Sequence, residues 1–171
     1  MIVLRHLLSI LLLPFVVVVL VPRWLVESSS VADSHWPDGS TLETGGRVLG
    51  LLVFGPGLAL FAWCVLLFAR VGRGTLAPWD PTQRLVAVGP YRHVRNPMIT
   101  GVAAMLAGEA LLHGSRLIAA WLGIFALLNH TYFIVVEEPG LARRFGASYQ
   151  EYKAAVPRWL PRLAPWTGGR A

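Results

Sequence analysis

The sequence predicts an all-α integral membrane protein with about four transmembrane helices, the last two paired as a helical hairpin. Three observations carry that class. Of 171 residues, 55% are hydrophobic and only 14% charged, where soluble domains average about a quarter charged; the mean hydropathy is +0.57. The apolar residues gather in runs near the roughly 20 residues a helix needs to cross a bilayer. The polar stretches between those runs also differ in sign. Residues 27–44 hold four acids and no Lys or Arg, whereas 70–97 and 137–171 are basic. Basic loops stay on the cytoplasmic side, so four crossings put both termini there.

The first span runs from about Leu7 to Val26 and follows the basic start Arg5-His6. A signal peptide competes with this reading, but the run ends in Pro22-Arg23-Trp24 without a small-residue cleavage pattern, which favours a retained helix. The acid-only segment Glu27 to Thr44 reads as an external loop. The second span, about Val48 to Ala69, contains Gly55-Pro56-Gly57, a kink or a close helix contact. Arg70 to Pro97 is a cytoplasmic connection whose Gly72–Pro81 part has too much Gly and Pro for a regular helix. Ile99 to His113 forms a short apolar arm and Gly114-Ser115 a turn, after which Leu117 to Val136 is long enough to cross. Gly101, Ala104 and Gly108 share one face of the short arm, where a neighbouring backbone can approach. The remainder is basic and amphipathic. Ser148-Tyr149-Gln150-Glu151 has capping-box spacing for a short helix after Gly146, Pro157 ends it, and Trp159-Leu160 suits the interface. Residues 1–69 thus form two N-terminal helices with an external loop, and residues 70–171 a second unit.

The net charge of +6 belongs with lipid headgroups and topology, because no nucleic-acid-binding motif accompanies it. Cys64 is the single cysteine, which excludes a disulfide framework and any cysteine-based metal site; no metal centre is expected. Nucleotide-loop, zinc-protease and serine-hydrolase motifs are missing.

What remains is polar chemistry at cytoplasmic membrane depth. Tyr91-Arg92-His93-Val94-Arg95-Asn96 precedes the hairpin, and Glu137-Glu138 follows it. A hairpin brings its ends together, so the two clusters should face one pocket. They offer guanidinium groups to a carboxylate or phosphate, and carboxylates to hydroxyls or a cation. Asn96-Pro97 can open the short arm and leave its first amides free for an anion. The same residues also fit topology anchors and a solvated helix end. Glu109 in the short arm is a functional candidate as an intramembrane carboxylate, but the closeness of His113 and Gly114 favours a snorkelled or neutral side chain near the far interface. Asn129, Phe133 and Glu137 share one helical face that would extend the pocket, and His130 reads as a partner for a neighbouring helix.

The run Gly89-Pro90-Tyr91-Arg92-His93-Val94-Arg95-Asn96-Pro97-Met98-Ile99-Thr100-Gly101 resembles a signature of the isoprenylcysteine carboxyl methyltransferase family and the related membrane phospholipid methyltransferases. Glu137-Glu138, Leu141, Phe145-Gly146, Tyr149, Tyr152 and Val156-Pro157-Arg158 resemble the second block of that family. Gly74-Thr75-Leu76-Ala77-Pro78 and Leu85-Val86 are similar to bacterial members. Two departures stand out: Asn96 where many members have His, and Ile99 where a Tyr is usual, which removes a hydroxyl and an aromatic face.

The resemblance implies a methyltransferase core over 70–171 with a cytoplasmic pocket for S-adenosylmethionine as methyl donor. It assigns Tyr91, Arg92, His93, Asn96, Pro97, Gly101, Glu138, Tyr149 and Tyr152 to the cofactor, and Arg95, Glu137 and Arg158 to catalysis. The acceptor would be lipid-like or isoprenoid-like, a carboxylate or an amine, entering sideways from membrane lipid. A carboxylate needs only an arginine to orient it, whereas an amine needs a base such as Glu137, Glu138 or His93. A bacterial inner membrane is the expected location. Two other readings share the helical layout: a nicotinamide-dependent enzyme of the sterol-reductase type, and a non-catalytic membrane protein on the same scaffold.

Overall fold

The computed structural model describes residues 11–28, 36–72 and 84–168, and every regular element among them is helical. A π-helical stretch, Leu11–Leu20, leads into α1 (Val21–Ser28). Helix α2 (Thr41–Leu67) passes into a π turn, Phe68–Gly72. A 3-10 turn, Gly89–Arg92, precedes α3 (Pro97–His113). Helix α4 (Arg116–Tyr132) continues through a π turn, Phe133–Glu137, into α5 (Glu138–Ala155). The expected start of the first span and most of the Gly72–Pro81 connection lie outside the described residues.

Two helical segments, Thr41–Val71 and Arg116–Ala155, are long and apolar enough to cross a membrane, with mean hydropathies of 2.4 and 1.7 in their apolar parts. Helix α3 is apolar but shorter. The outward faces are hydrocarbon too: Leu52 is 65% exposed and Leu127 66%. Water would penalise such a surface, and lipid does not.

Local chemistry fixes the ends of these elements. Ser40 caps α2 by accepting from the Glu43 amide at 3.0 Å, and the Glu43 carboxylate takes the Gly39 amide at 2.6 Å. This reciprocal arrangement satisfies amide groups that a helix start leaves unpaired. Helix α3 closes on Gly114, whose φ of 61° suits a residue without a Cβ. Ser115 then caps α4 by accepting from the Ile118 amide at 3.1 Å. The hairpin turn therefore sits at the Gly114-Ser115 step. Trp36 seals this end by donating its indole N–H to the Leu111 carbonyl at 2.7 Å.

Glycines set the distance between α2 and α3. A Cβ on Gly101 would stand 2.8 Å from the Gly57 carbonyl oxygen, and one on Gly108 would stand 2.8 Å from that of Gly50. The two crossings lie seven residues apart on each helix and run antiparallel. The Gly55-Pro56-Gly57 step is thus a close helix contact, and α2 continues through Pro56.

One element departs from expectation. The sequence suggests a break after Val136, and instead the chain stays helical from α4 through the π turn into α5. Gly146 is non-helical, with φ 55° and ψ −130°, and divides α5 in two, so a short helix does begin after Gly146 as the sequence suggests; glycine adopts this conformation without a Cβ clash. Pro139 sits in the first turn of α5, where its missing N–H costs no hydrogen bond. Helix α5 ends at Ala155, just before Pro157.

Candidate functional site

The chain beyond α5 folds back along the segment before α3. The Arg95 amide donates to the Pro157 carbonyl at 2.9 Å, the Arg162 amide to His93 at 3.0 Å, and the Trp166 amide to Arg92 at 2.9 Å. Side chains complete the strap. Arg92 Nε donates to the Trp166 carbonyl at 2.6 Å, and His93 Nδ1 lies 2.8 Å from the Arg162 carbonyl oxygen. Trp166 packs edge-on against Tyr152 at 5.3 Å, and Tyr152 Oη donates to the Tyr91 carbonyl at 2.7 Å. Tyr91 itself stacks on Phe68 at 5.6 Å and has its hydroxyl beside the Cys64 thiol. Burial pushes that hydroxyl well above its ordinary pKa, and the neighbouring Cys64 adds to the shift.

These contacts frame a cavity of about 750 Å³, within the usual range of ligand pockets. One part of its wall is hydrocarbon, including Phe61, Val102, Trp121, Phe125 and Leu128. The other part carries Arg95, Asn96, Glu137, Glu138, Tyr149 and Tyr152. Asn96 precedes α3 without capping it through its side chain, so its amide stays available to the cavity. Ile99, standing where the resembled family usually has Tyr, also lines the wall; its hydrocarbon belongs to the apolar part.

Glu138 is the electrostatic centre of the polar end. Arg95 Nη1 reaches its Oε1 at 2.8 Å, Arg158 reaches the same oxygen through Nη2 at 2.7 Å, and Lys153 Nζ meets Oε2 at 2.8 Å. Burial alone would raise this carboxyl's pKa. Hydrogen bonds from Lys153 and Arg158, with the charges of Arg95 and Arg158, outweigh burial and hold it below the ordinary value. Arg95 keeps one buried donor, Nε, without a partner among the described residues. Such a group costs about 1–3 kcal/mol unless something accepts its hydrogen bond.

Glu137, the first residue beyond the apolar stretch of α4, differs from its neighbour. It lines the same cavity, yet no described residue pairs with it by hydrogen bond or salt bridge. Burial, followed by repulsion from Glu138, pushes its pKa up to about 7.

The residues singled out in the sequence therefore fall into two groups. Tyr91, Arg95, Asn96, Glu137, Glu138, Tyr149 and Tyr152 line the cavity. Arg92 and His93 instead hold the C-terminal strap, Pro97 is buried at the start of α3, Gly101 packs on α2, and Arg158 reaches the site through Glu138. His130 accepts a 3.0 Å bond from the Trp159 indole, so it joins α4 to the strap. Lys153, Trp121 and Phe61 were not legible as site residues. Lys153 lies across the Gly146 kink from Glu138, and Phe61 reaches the cavity because the glycine seam brings α2 against α3. The seam pattern Gly101-Ala104-Gly108 was a usable signal for the second.

Regular elements that are all helical among the described residues, a hydrocarbon surface and a cavity running from apolar wall to paired charges define a membrane-type helical protein with an amphipathic site. The chain belongs to the phospholipid methyltransferase family, whose profile matches residues 46–148. It is also 39% identical over 77 residues to methanethiol S-methyltransferase 2 of Bradyrhizobium diazoefficiens, a match covering 43% of this chain. The matched part spans only 27% of that relative's length. No solved structure matches the chain.

Proposed function

We propose that this protein is an integral membrane methyltransferase that moves a methyl group from S-adenosylmethionine to a lipid-like or isoprenoid-like acceptor. The supporting observation is the cavity whose wall passes from hydrocarbon to a paired-charge end. The donor's parts fit the residues present. Its carboxylate suits the unpartnered Arg95 Nε, its ribose hydroxyls suit Glu138 or Glu137, and its adenine suits the aromatic faces of Tyr149 and Phe145. When bound, the donor supplies an activated methyl group on a sulfonium centre.

In this reading the protein's own contribution is placement in a water-poor site. Arg95 orients an anionic group, and Arg158 keeps Glu138 fixed. Asn96 offers an amide to the donor, while Tyr91 and Tyr152 hold the wall through their mutual bond. Arg92 and His93 act at a distance, by anchoring the strap that carries Trp166. Residues 1–69 supply two crossings and residues 70–171 the methyltransferase core, giving four crossings with α3 and α4. The arginines near the polar end support a site and both termini on the cytoplasmic face of a bacterial inner membrane. The acceptor enters from the bilayer along the apolar wall. The name of the Bradyrhizobium relative adds a thiol to the carboxylate and amine acceptors to be tried.

The test is equilibrium binding of S-adenosylhomocysteine to the purified full chain. Binding is expected, and Arg95→Ala should weaken it by about 1–3 kcal/mol, the scale of a lost charge-assisted hydrogen bond. Wild-type protein that fails to bind in both detergent and lipid vesicles overturns the proposal.

A further inference from the structure

We propose that a second cavity, across the start of α3 from the first, holds one anionic phospholipid, and that the bound lipid braces the C-terminal strap. The segment Tyr91–Thr100 divides its side chains between the two cavities. Tyr91, Arg95, Asn96, Met98 and Ile99 line the first, whereas Arg92, His93, Val94, Pro97 and Thr100 line the second. Leu60 and Trp63 of α2 and Pro161 and Pro165 of the strap help to enclose a volume of about 500 Å³. The two cavities share no lining residue, so this site stands apart from methyl transfer.

The chemistry of the lining selects an anionic amphiphile. Arg92 commits Nε to the strap, donating to the Trp166 carbonyl at 2.6 Å. Its Nη1 and Nη2 bond to no described residue, which leaves donors in a planar fork for a phosphate. His93 Nδ1 lies 2.8 Å from the Arg162 carbonyl oxygen, which can only accept, so Nδ1 carries a proton. The other ring nitrogen donates when the ring is protonated, the state that a nearby anion favours. Thr100 Oγ1 gives its proton to the Asn96 carbonyl at 3.0 Å. Among the described residues that line the cavity none is acidic, and most of the wall is hydrocarbon and proline. Such a wall offers an acyl chain dispersion contacts and no competing polar group.

The position suits a lipid as well. Trp63 lies about one turn before the end of α2 and is 52% exposed, the setting of an aromatic side chain at headgroup depth. On the strap, Leu160 and Leu163 stand on either side of Pro161 and are 82% and 100% exposed. Water penalises side chains of that kind, and the boundary between headgroups and acyl chains accepts them. The cavity therefore opens where phosphates and acyl chains meet, a depth at which basic pockets take anionic headgroups. A soluble phosphate would leave its hydrocarbon wall wet.

Occupancy reaches the strap through Arg92. A phosphate on Nη1 and Nη2 fixes the guanidinium plane, and the same plane carries the Nε–H that holds Trp166. The backbone runs alongside: the Trp166 amide donates to the Arg92 carbonyl at 2.9 Å and the Arg162 amide to that of His93 at 3.0 Å. Because Pro161 and Pro165 belong to the strap, the cavity is complete only while the strap is docked. A lipid that binds only the docked strap stabilises it by mass action.

The full chain, purified in a neutral detergent, is titrated with phosphatidylglycerol, with phosphatidylcholine of the same acyl chains, and with glycerol phosphate. Native mass spectrometry counts the lipid retained, and hydrogen exchange follows the amides of Arg162 and Trp166. One phosphatidylglycerol per chain is expected, held about fivefold or more tightly than phosphatidylcholine, the scale of one arginine near a charged lipid surface. That preference should shrink as salt rises. At about ten times the Kd, exchange at the two amides should slow about tenfold, because the undocked strap offers no site. Glycerol phosphate should produce neither effect.

Two variants take the site apart. Arg92→Gln should erase the preference for the anionic headgroup while an acyl chain still binds. Thr100→Trp fills the groove and leaves Arg92, His93 and the strap bonds in place. It should abolish both retention and slowed exchange, with helicity and the lipid-free unfolding midpoint near those of wild type. This second variant carries the test if Arg92→Gln fails to fold. Equal retention of the two lipids by wild type, an unchanged preference in folded Arg92→Gln, unchanged retention in Thr100→Trp, or equal protection by glycerol phosphate each overturns the proposal. Bound phosphatidylglycerol with unaltered exchange at Arg162 and Trp166 overturns the bracing.

Discussion

The seam between α2 and α3 and the polar end of the cavity are held together by opposite means. Along the seam Gly57 meets Gly101 and Gly50 meets Gly108, backbone against backbone. Hydrocarbon surrounds it, so shape and dispersion supply the cohesion there. At the polar end one carboxylate, Glu138, gathers Arg95, Lys153 and Arg158. The seam should therefore fail when volume is added and ignore pH, whereas the polar end should fail when charge is removed and respond to acid. One region gives the cavity a rigid wall, and the other gives it a chemically responsive floor.

The sharpest way to break the seam is Gly108→Leu. A Cβ there would stand 2.7 Å from Phe54 Cβ and 2.8 Å from the Gly50 carbonyl oxygen, and neither helix can yield without parting the other glycine crossing. The expected loss is about 3 kcal/mol, the upper end of the cost of overpacking a close contact. It should be the same at pH 4 and pH 7. Equilibrium unfolding in mixed micelles measures it, and a pH-dependent loss would contradict the dry character assigned to this contact.

Glu138→Gln tests the other region. Removing the charge strands Arg95, which is largely buried, while the more exposed Lys153 returns to water at little cost. A loss of about 2 kcal/mol at pH 7 is expected, the scale of hydrogen bonds to a charged group. The sign with pH follows from the direction of the shift. The folded protein holds this carboxyl below its ordinary value of 4.5. Its stabilisation is therefore full above that value and lost as pH falls through the folded pKa. Wild type should lose stability in that acid window, and the variant should lose less there. Glu137 opposes this trend: its pKa is raised to about 7, so its contribution is full below 4.5 and declines as pH rises through 7. Comparing the two curves separates the neighbours.

The two regions also differ in how far the sequence reveals them. The seam was readable, because Gly101, Ala104 and Gly108 repeat at helical spacing and Gly55-Pro56-Gly57 interrupts an apolar run. The hairpin turn was readable for a similar reason: Gly114 and Ser115 are a stop and a start side by side. The approach of Tyr91–Asn96 to Glu137-Glu138 follows from a hairpin's connectivity. Which side chain turns inward does not. Arg92 and Arg95 are three residues apart and look equivalent in sequence, yet only Arg95 lines the cavity, because the strap takes Arg92 through a backbone carbonyl. Partners of that kind leave no mark in residue types. The continuity of α4 into α5 was hidden as well, since Glu-Glu-Pro-Gly reads locally as a helix boundary while tertiary packing carries the helix through it.

The smallest expected effect probes the joint between strap and cavity. Tyr152 is buried, packs against Trp166, and donates one hydrogen bond to the Tyr91 carbonyl at 2.7 Å. Tyr152→Phe keeps the ring and its aromatic contact, so only the hydrogen bond is lost. The cost should be about 1 kcal/mol, a neutral bond exchanged for an unpaired carbonyl. Because Tyr91 lines the cavity, the same change should also loosen S-adenosylhomocysteine binding if the strap sets the position of that turn. Arg92→Lys provides the comparison from the other side of the strap. It keeps the charge but loses the planar Nε–H that meets the Trp166 carbonyl. Matching small losses in stability and donor affinity from the two variants would identify the strap as a positioning element of the polar end. A loss in stability alone would make it a brace that the cavity does not feel.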